Sequence, residues 1–329
     1  MDRGRGQRTV DSGWSRAFRL GSVLLLLLVA VLIAAAMLGA ERLPLTGLSE
    51  QQRSILFDIR LPRIALGACV GASLAVAGAG LQSLLRNPLA EPYLLGVSNG
   101  AALGTMLAFV LFQNVEAVRP LLAFAGAGLA TVAVYQMAKS RAGMNVERLV
   151  LSGVIVTTFL SSVIVMLTTL LDAARLRSFT FWLLGDLSQA SMTGVYLAGG
   201  AAVVGTLVMV MQARSLNLMM VGERDALDFG VEVGRVRMLV FGASSLVVGA
   251  AVAASGSVGY VGLIVPHLVR LTVGSDNRLV VPFSAVAGAI FVVFADTIAR
   301  TAIAPRELPV GAITALVGAP LFIYLLRKS

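Results

Sequence analysis

The stretch LFDIRLPRIALGACVGASLAVAGAGLQ, Leu56–Gln82, places two arginines, Arg60 and Arg63, and a proline directly before a long apolar run that carries no charge. A bilayer core of roughly 30 Å takes about 20 apolar residues of helix, and the run from Arg63 to Leu85 meets that length. Its small residues, GACVGASLAVAGAG from Gly67 to Gly80, let membrane helices approach closely. A lipid-facing helix gains nothing from losing its side chains, so this segment is expected at the centre of a crowded bundle.

Working outward, the same pattern fills the chain. Of 329 residues 57% are hydrophobic and 13% charged, against about 45–50% and 25% in a soluble domain. Apolar runs span Leu20 to Gly39, Arg63 to Leu85, Leu94 to Phe112, Pro120 to Ala138, Leu149 to Leu171, Met192 to Met211, Met238 to Ala254, a short Val258 to Val269, Val280 to Ile298, and Val310 to Leu326. The fold class is therefore an all-α polytopic membrane protein of about ten transmembrane helices. Residues 1–19 read as a basic cytoplasmic tail and 20–329 as one transmembrane domain. The first run lacks a clean small-x-small cleavage site and reads as a retained anchor rather than a signal peptide.

With the N-terminus inside and ten crossings, seventeen of the 26 Lys and Arg residues fall on inner segments. That bias predicts cytoplasmic N- and C-termini. The net charge of +9 reflects topology, because the basic residues are dispersed and lack the aromatic interleaving of a nucleic-acid surface.

Enzyme chemistry is poorly supplied. One His (His267) and one Cys (Cys69) make neither an ordinary zinc site nor an internal disulfide, and both lie in apolar runs as packed helix residues. No G-x-x-x-x-G-K-[ST] pattern occurs, so nucleotide chemistry belongs to another subunit. No cofactor or metal site is expected in this chain.

Arg60 and Arg63 then pose a question. Pro62 suits the first turn of a helix, and a helix N-terminus already carries positive partial charge. Two cations there want an anion, or else they snorkel to lipid phosphates.

The following stretch, LQSLLRNPLAEPYLLGVSNGAALG (Leu81–Gly104), is unusually structured for a plain connection. Together with RLPR, SGSVGYVGLIVPHLVRL (Ser255–Leu271) and ELPVGAITALVGAPLFIYLL (Glu307–Leu326), it resembles the FecCD-type permeases of ABC importers for iron-siderophores, haem and cobalamin. The resemblance covers nearly the whole chain after the tail. It implies a cobalamin-importer-permease-like fold with an inverted repeat. It also implies a homodimer with two ATP-binding cassette subunits that hold ATP and magnesium, and a periplasmic or lipid-anchored binding protein. Residence would be in a bacterial cytoplasmic membrane.

Carried onto this sequence, the resemblance implies that outer-face arginines meet glutamates of the binding protein. The matching positions are Arg60, Arg63 and Arg300, although Asp296 at i−4 offers Arg300 a local partner. On the inner face LNLMMVGERDALDFGVEVGRVRML (Leu216–Leu239) is expected to form water-facing short helices. It resembles the ATPase-coupling region, a loop of about 212–237, through Gly222, Glu223, Ala226 and Gly230, with Leu218, Met219, Met220 and Leu227 as apolar faces. The resemblance places the cytoplasmic gate at Asn87 and Leu89, and at Asn145 and Val146, where small hydroxyl residues would be the family's pattern. Asn87 also suits a turn before Pro88.

GASLAVAGAG (Gly71–Gly80) beside GASSLVVGAAVAASG (Gly242–Gly256) echoes an inverted repeat, since the two helices cross in opposite directions. An ion-coupled secondary transporter would need ionisable groups within the membrane, and the candidates His267, Asp172 and Asp296 lie in the short eighth run or near helix ends. A membrane enzyme would need a catalytic cluster, and none stands out. The sequence thus reads as an importer permease for an iron chelate, ferric siderophore first, with cobalamin or haem as alternatives.

Overall fold

The computed structural model describes residues 4–39, 41, 43–44, 47–112, 115, 117–140 and 143–328. The first three residues of the basic tail, and Arg141, lie outside them. Seven helices are long and apolar enough to cross a membrane, and three shorter apolar helices, Val97–Leu111, Val261–Val273 and Val310–Tyr324, complete the set. All ten expected runs are helical. Beyond helices, the described residues hold only a two-residue antiparallel pairing, Lys139–Ser140 with Gly143–Met144.

In chain order the helices are α1 (Gly4–Met37), α2 (Glu50–Ser54), α3 (Leu61–Leu85), α4 (Val97–Leu111), α5 (Val118–Ala138), α6 (Val146–Thr168) and α7 (Ala173–Leu183). They continue with α8 (Met192–Val221), α9 (Glu223–Asp228), α10 (Val233–Ser255), α11 (Val261–Val273), α12 (Asn277–Thr301) and α13 (Val310–Lys328). α1 is helical from Gly4, well inside the expected tail.

The helix that carries the opening stretch starts earlier than Pro62 implies. Ser49 caps it in a reciprocal capping box with Gln52, a strong start signal. α2 then runs through a π-helical turn, Ile55–Arg60, into α3, so that one rod spans Glu50–Leu85. Pro62 has no N–H to give the carbonyl four residues back, and Leu61 N–H reaches Leu56 O, five residues back. The expectation that Arg60 and Arg63 sit at a helix N-terminus is thereby corrected: they lie well inside a continuous helix that begins at Glu50.

α3 is the central helix, as its small residues demand. Gly71 lies against the backbone of Gly288 on α12, and Gly78 against that of Gly262 on α11, each so close that a Cβ would strike a carbonyl oxygen. α3 and α12 are antiparallel, since Gly67 meets Val292 while Ser83 meets Asn277. α3 and α8 are parallel, since Gly199 meets Cys69 and Met209 meets Gly80. α8 returns through α9 into α10, so α10 opposes α3, as the inverted-repeat reading requires.

α4 and α11 are broken helices. At 1.5 Å per residue their 15 and 13 residues reach only about 20 Å. Gly100 of α4 packs at the level of Gly126 and Ala130, part-way along α5, and Gly262 of α11 at the level of Leu74 and Gly78, part-way along α3. Both helices therefore begin inside the bundle. Irregular backbone is tolerated at that depth only where protein satisfies its polar groups, and here the two breaks satisfy one another. Tyr93 Oη accepts from Val258 N (2.9 Å) and donates to Val258 O (3.0 Å), and Glu91 Oε1 accepts from Tyr260 N at 3.0 Å.

Candidate functional site

At the end of the bundle where α1 ends, the three arginines expected to dock a carrier are buried, with 5–7% of their surface exposed. Arg60 donates through Nη1 to the carbonyls of Ala36 (2.8 Å) and Met37 (3.1 Å) and through Nη2 to that of Glu41. It thus caps the C-terminal end of α1, which carries negative partial charge. Arg63 grips Asp296, itself 2% exposed, with Nε and Nη2 at 2.9–3.1 Å, and reaches Glu307 with Nη1 at 2.8 Å. Arg300 Nε lies 3.6 Å from Asp296, and its Nη2 donates to Ala35 O. The anions these cations want are supplied within the chain, by Asp296, Glu307 and the α1 C-terminus. Asp296 was visible as an i−4 partner of Arg300. That it faces Arg63, 233 residues away, was not.

At the opposite end of the bundle the chain leaves α3 through Arg86 in a left-handed conformation (φ 48°) and turns at Asn87. The Asn87 side chain accepts from Leu89 N at 2.9 Å and its carbonyl from Ala90 N at 3.1 Å, the turn that an Asn before Pro favours. Leu89 is 41% exposed. Asn145 caps α6 by accepting from Arg148 N at 2.9 Å, and Val146 is half-buried in the first turn. No hydrogen bond joins Asn87 or Leu89 to Asn145 or Val146 among the described residues.

The expected coupling loop is corrected in its first half. Leu216 to Val221 are the last turns of α8, with Leu216 and Met219 in the core and Leu218 and Met220 half-buried. Its middle is a short helix, α9, which follows Gly222 in extended backbone and ends near Gly230 at φ 77°, a value that favours glycine, and its last residues, from Val233, already belong to α10. Ala226 is fully buried, while Val221, Leu227 and Phe229 are 76%, 55% and 74% exposed.

Two polar clusters near this segment escaped the sequence reading. Arg237 of α10 donates to Glu223 at 2.7 Å and to Met144 O at 3.1 Å, tying α9 to the residue before Asn145. Asn217 on α8 donates to Asp276 (2.7 Å) and accepts from Asn277 N and Nδ2 (2.8 Å each). Arg270 of α11 joins that cluster by donating to Ser83 Oγ (2.6 Å), Asn277 Oδ1 (3.1 Å) and Ala79 O (3.1 Å). Partial burial alone would raise the Asp276 carboxyl. Hydrogen bonds from Arg278 and Asn217, with the Arg278 charge, outweigh it and hold the group below its ordinary value. Single Asn and Asp residues between apolar runs carry no long-range signal, which is why these clusters were missed.

The FecCD transport family model matches residues 23–328. The cobalamin import system permease protein BtuC of Halobacterium salinarum is 46% identical over 282 residues, covering 85% of this chain and 75% of that one. The hemin transport system permease protein HmuU of Yersinia pestis is 37% identical over 316 residues, covering 93% and 94%. A metal-chelate type ABC transporter, solved in an inward-facing conformation, superposes with a TM-score of 0.87 at 31% identity, covering 94% of this chain and 99% of that one.

Proposed function

This chain belongs to the FecCD transport family, and from that premise we propose that it is the membrane-spanning permease subunit of an ABC importer for a bulky metal chelate. The observation that carries the reading is the inner face. A short acidic helix, α9, carries exposed Leu227 and is flanked by exposed Val221 and Phe229 in a chain with no nucleotide-binding motif of its own. An apolar cluster on a rigid helix suits the cleft of a second protein. That protein is the ATPase, which holds ATP and magnesium. Two permease copies, two ATPase subunits and a binding protein make the working assembly, in a cytoplasmic membrane with both termini inside.

The substrate belongs to the class of ferric siderophores, haem and cobalamin. Ferric siderophore follows from the sequence resemblance, and the cobalamin and hemin relatives give those two ligands equal support. The binding protein docks on the outer face. Arg60, Arg63 and Arg300 contribute there by holding α1, α3 and α12 in register, because direct contact would require them to give up their internal partners. Asn87 with Leu89, and Asn145 with Val146, form the cytoplasmic gate.

Co-expression with the ATPase tests the reading. Leu227→Asp with Phe229→Asp should reduce ATPase co-purification at least tenfold while the chain stays in the membrane, and unchanged co-purification overturns it. Vesicles offered a ferric trihydroxamate, haemin or cyanocobalamin separately would identify the cargo. Uptake driven by membrane potential without the ATPase would instead establish a secondary transporter.

A further inference from the structure

We infer that α11 is a strut linking the ATPase-facing end of α8 to the turn that carries Asn87 and Leu89, and that Glu91 is the positioning residue clamping its upper end. The inference rests on the permease reading above and adds a route by which closure at α9 reaches that turn.

The upper clamp is built from the two signature stretches. Glu91 is a carboxylate at the depth where α4 and α11 begin, and among the described residues no cation pairs with it. An ionisable group at such depth calls for a role and a partner. Its partner is Tyr260 N–H at 3.0 Å, the residue that opens α11. Tyr260 is left-handed (φ 68°) and offers α11 no side-chain cap, so Glu91 supplies from another segment the acceptor that the first turn of α11 lacks. Tyr93 fixes Val258 with two hydrogen bonds, Ser98 Oγ meets Ser257 Oγ at 3.2 Å, and Gln82 donates to Leu263 O at 2.9 Å. Glu91 follows Ala90, whose N–H is bonded to Asn87 O in the inner turn. A shift of that turn therefore moves the top of α11.

The lower clamp joins α11 to α8. Arg270, in the last turn of α11, bonds Ser83 and Asn277, and Asn277 is held twice by Asn217 of α8. Asn217 lies five residues before Gly222, where α9 begins. With Tyr260 and Arg270 pinned and about three turns of helix between them, displacement at one end is carried to the other.

The test uses the whole transporter with its ATPase in membranes. Leu89→Cys in a Cys69→Ser background reports the turn through its rate of modification by a thiol reagent, with and without a non-hydrolysable ATP analogue. The strut predicts that the nucleotide changes this rate at least fivefold. Glu91→Ala and Asn217→Ala should each reduce the change to under twofold, and the double variant should do no more than either alone. Glu91→Gln, whose amide oxygen still accepts from Tyr260, should restore the response. Full nucleotide response in either alanine variant, or no rescue by Glu91→Gln, overturns the strut. Should Glu91→Ala fail to reach the membrane, Asn217→Ala and Glu91→Gln still decide the matter. If ATPase association is absent from the unsubstituted chain, the permease reading itself fails, a separate result.

Discussion

At the residue scale the paired arginines show how burial changes the meaning of a charge. Arg63 and Asp296 are both buried and joined through three hydrogen bonds. Removing one partner of such a pair costs about 3–5 kcal/mol, because the other charge is left uncompensated. Asp296→Ala should therefore lower the thermal unfolding temperature of the purified chain sharply. Glu307→Gln should hardly move it, since the Glu307 side chain is 45% exposed and a pair open to solvent on one side contributes about 0–1 kcal/mol. For the same reason Arg63→Glu, which sets a second carboxylate against Asp296, should cost assembly before it costs docking. Loss of uptake with full stability in that variant would restore a direct docking role.

At the element scale, helix ends and close contacts decide. Gly78 of α3 lies against the Gly262 backbone at the start of α11, where an added Cβ would meet the carbonyl oxygen. Backbone cannot yield as a flexible side chain can, so Gly78→Val should prevent stable packing and appear as loss of protein from the membrane, while Gly128→Val, at a position with open space around it, should be tolerated. At the N-terminus of α12, Asp276 accepts from Arg278 N and bonds Asn217. Its carboxyl is held below the ordinary value, so its charged form stabilises the folded chain above the usual carboxylate range near pH ~3.9, and that contribution fades as pH falls through the depressed value. The stability gap between wild type and Asp276→Asn should accordingly narrow on acidification below about pH 4, and a gap independent of pH would show that the charge is not what counts. Arg237 links Glu223 of α9 to Met144 O. Its pair with half-exposed Glu223 adds about 1 kcal/mol at most, so Arg237→Ala should leave stability nearly intact and lower transport per ATP hydrolysed.

On the scale of the whole molecule, the chain is a set of helices around α3, whose faces nearly all meet protein, with two breaks that meet inside the bundle. On the reading proposed above, ATP is bound in a partner, a carrier docks outside and a second copy lies beside the chain. The purified chain alone in vesicles should show no ATP-dependent uptake of any of the three chelates, and uptake should appear only with the ATPase and binding protein. Much of this was legible in the linear text. Hydropathy is a local property, and helices that satisfy their own backbone are the economical way through lipid, so the ten runs, the crowding around Gly67–Gly80 and the opposed directions of α3 and α10 needed no coordinates. The four signature stretches carried the family for the same reason, since each is contiguous. What only the tertiary structure decided is who answers whom. Ser49 starts the helix that Pro62 was taken to start, Asp296 and the end of α1 neutralise the paired arginines, and Glu91 meets Tyr260 across 169 residues. Those partners come from distant segments, and an ion pair or a cap depends on distance in space, which the order of residues along a chain does not encode.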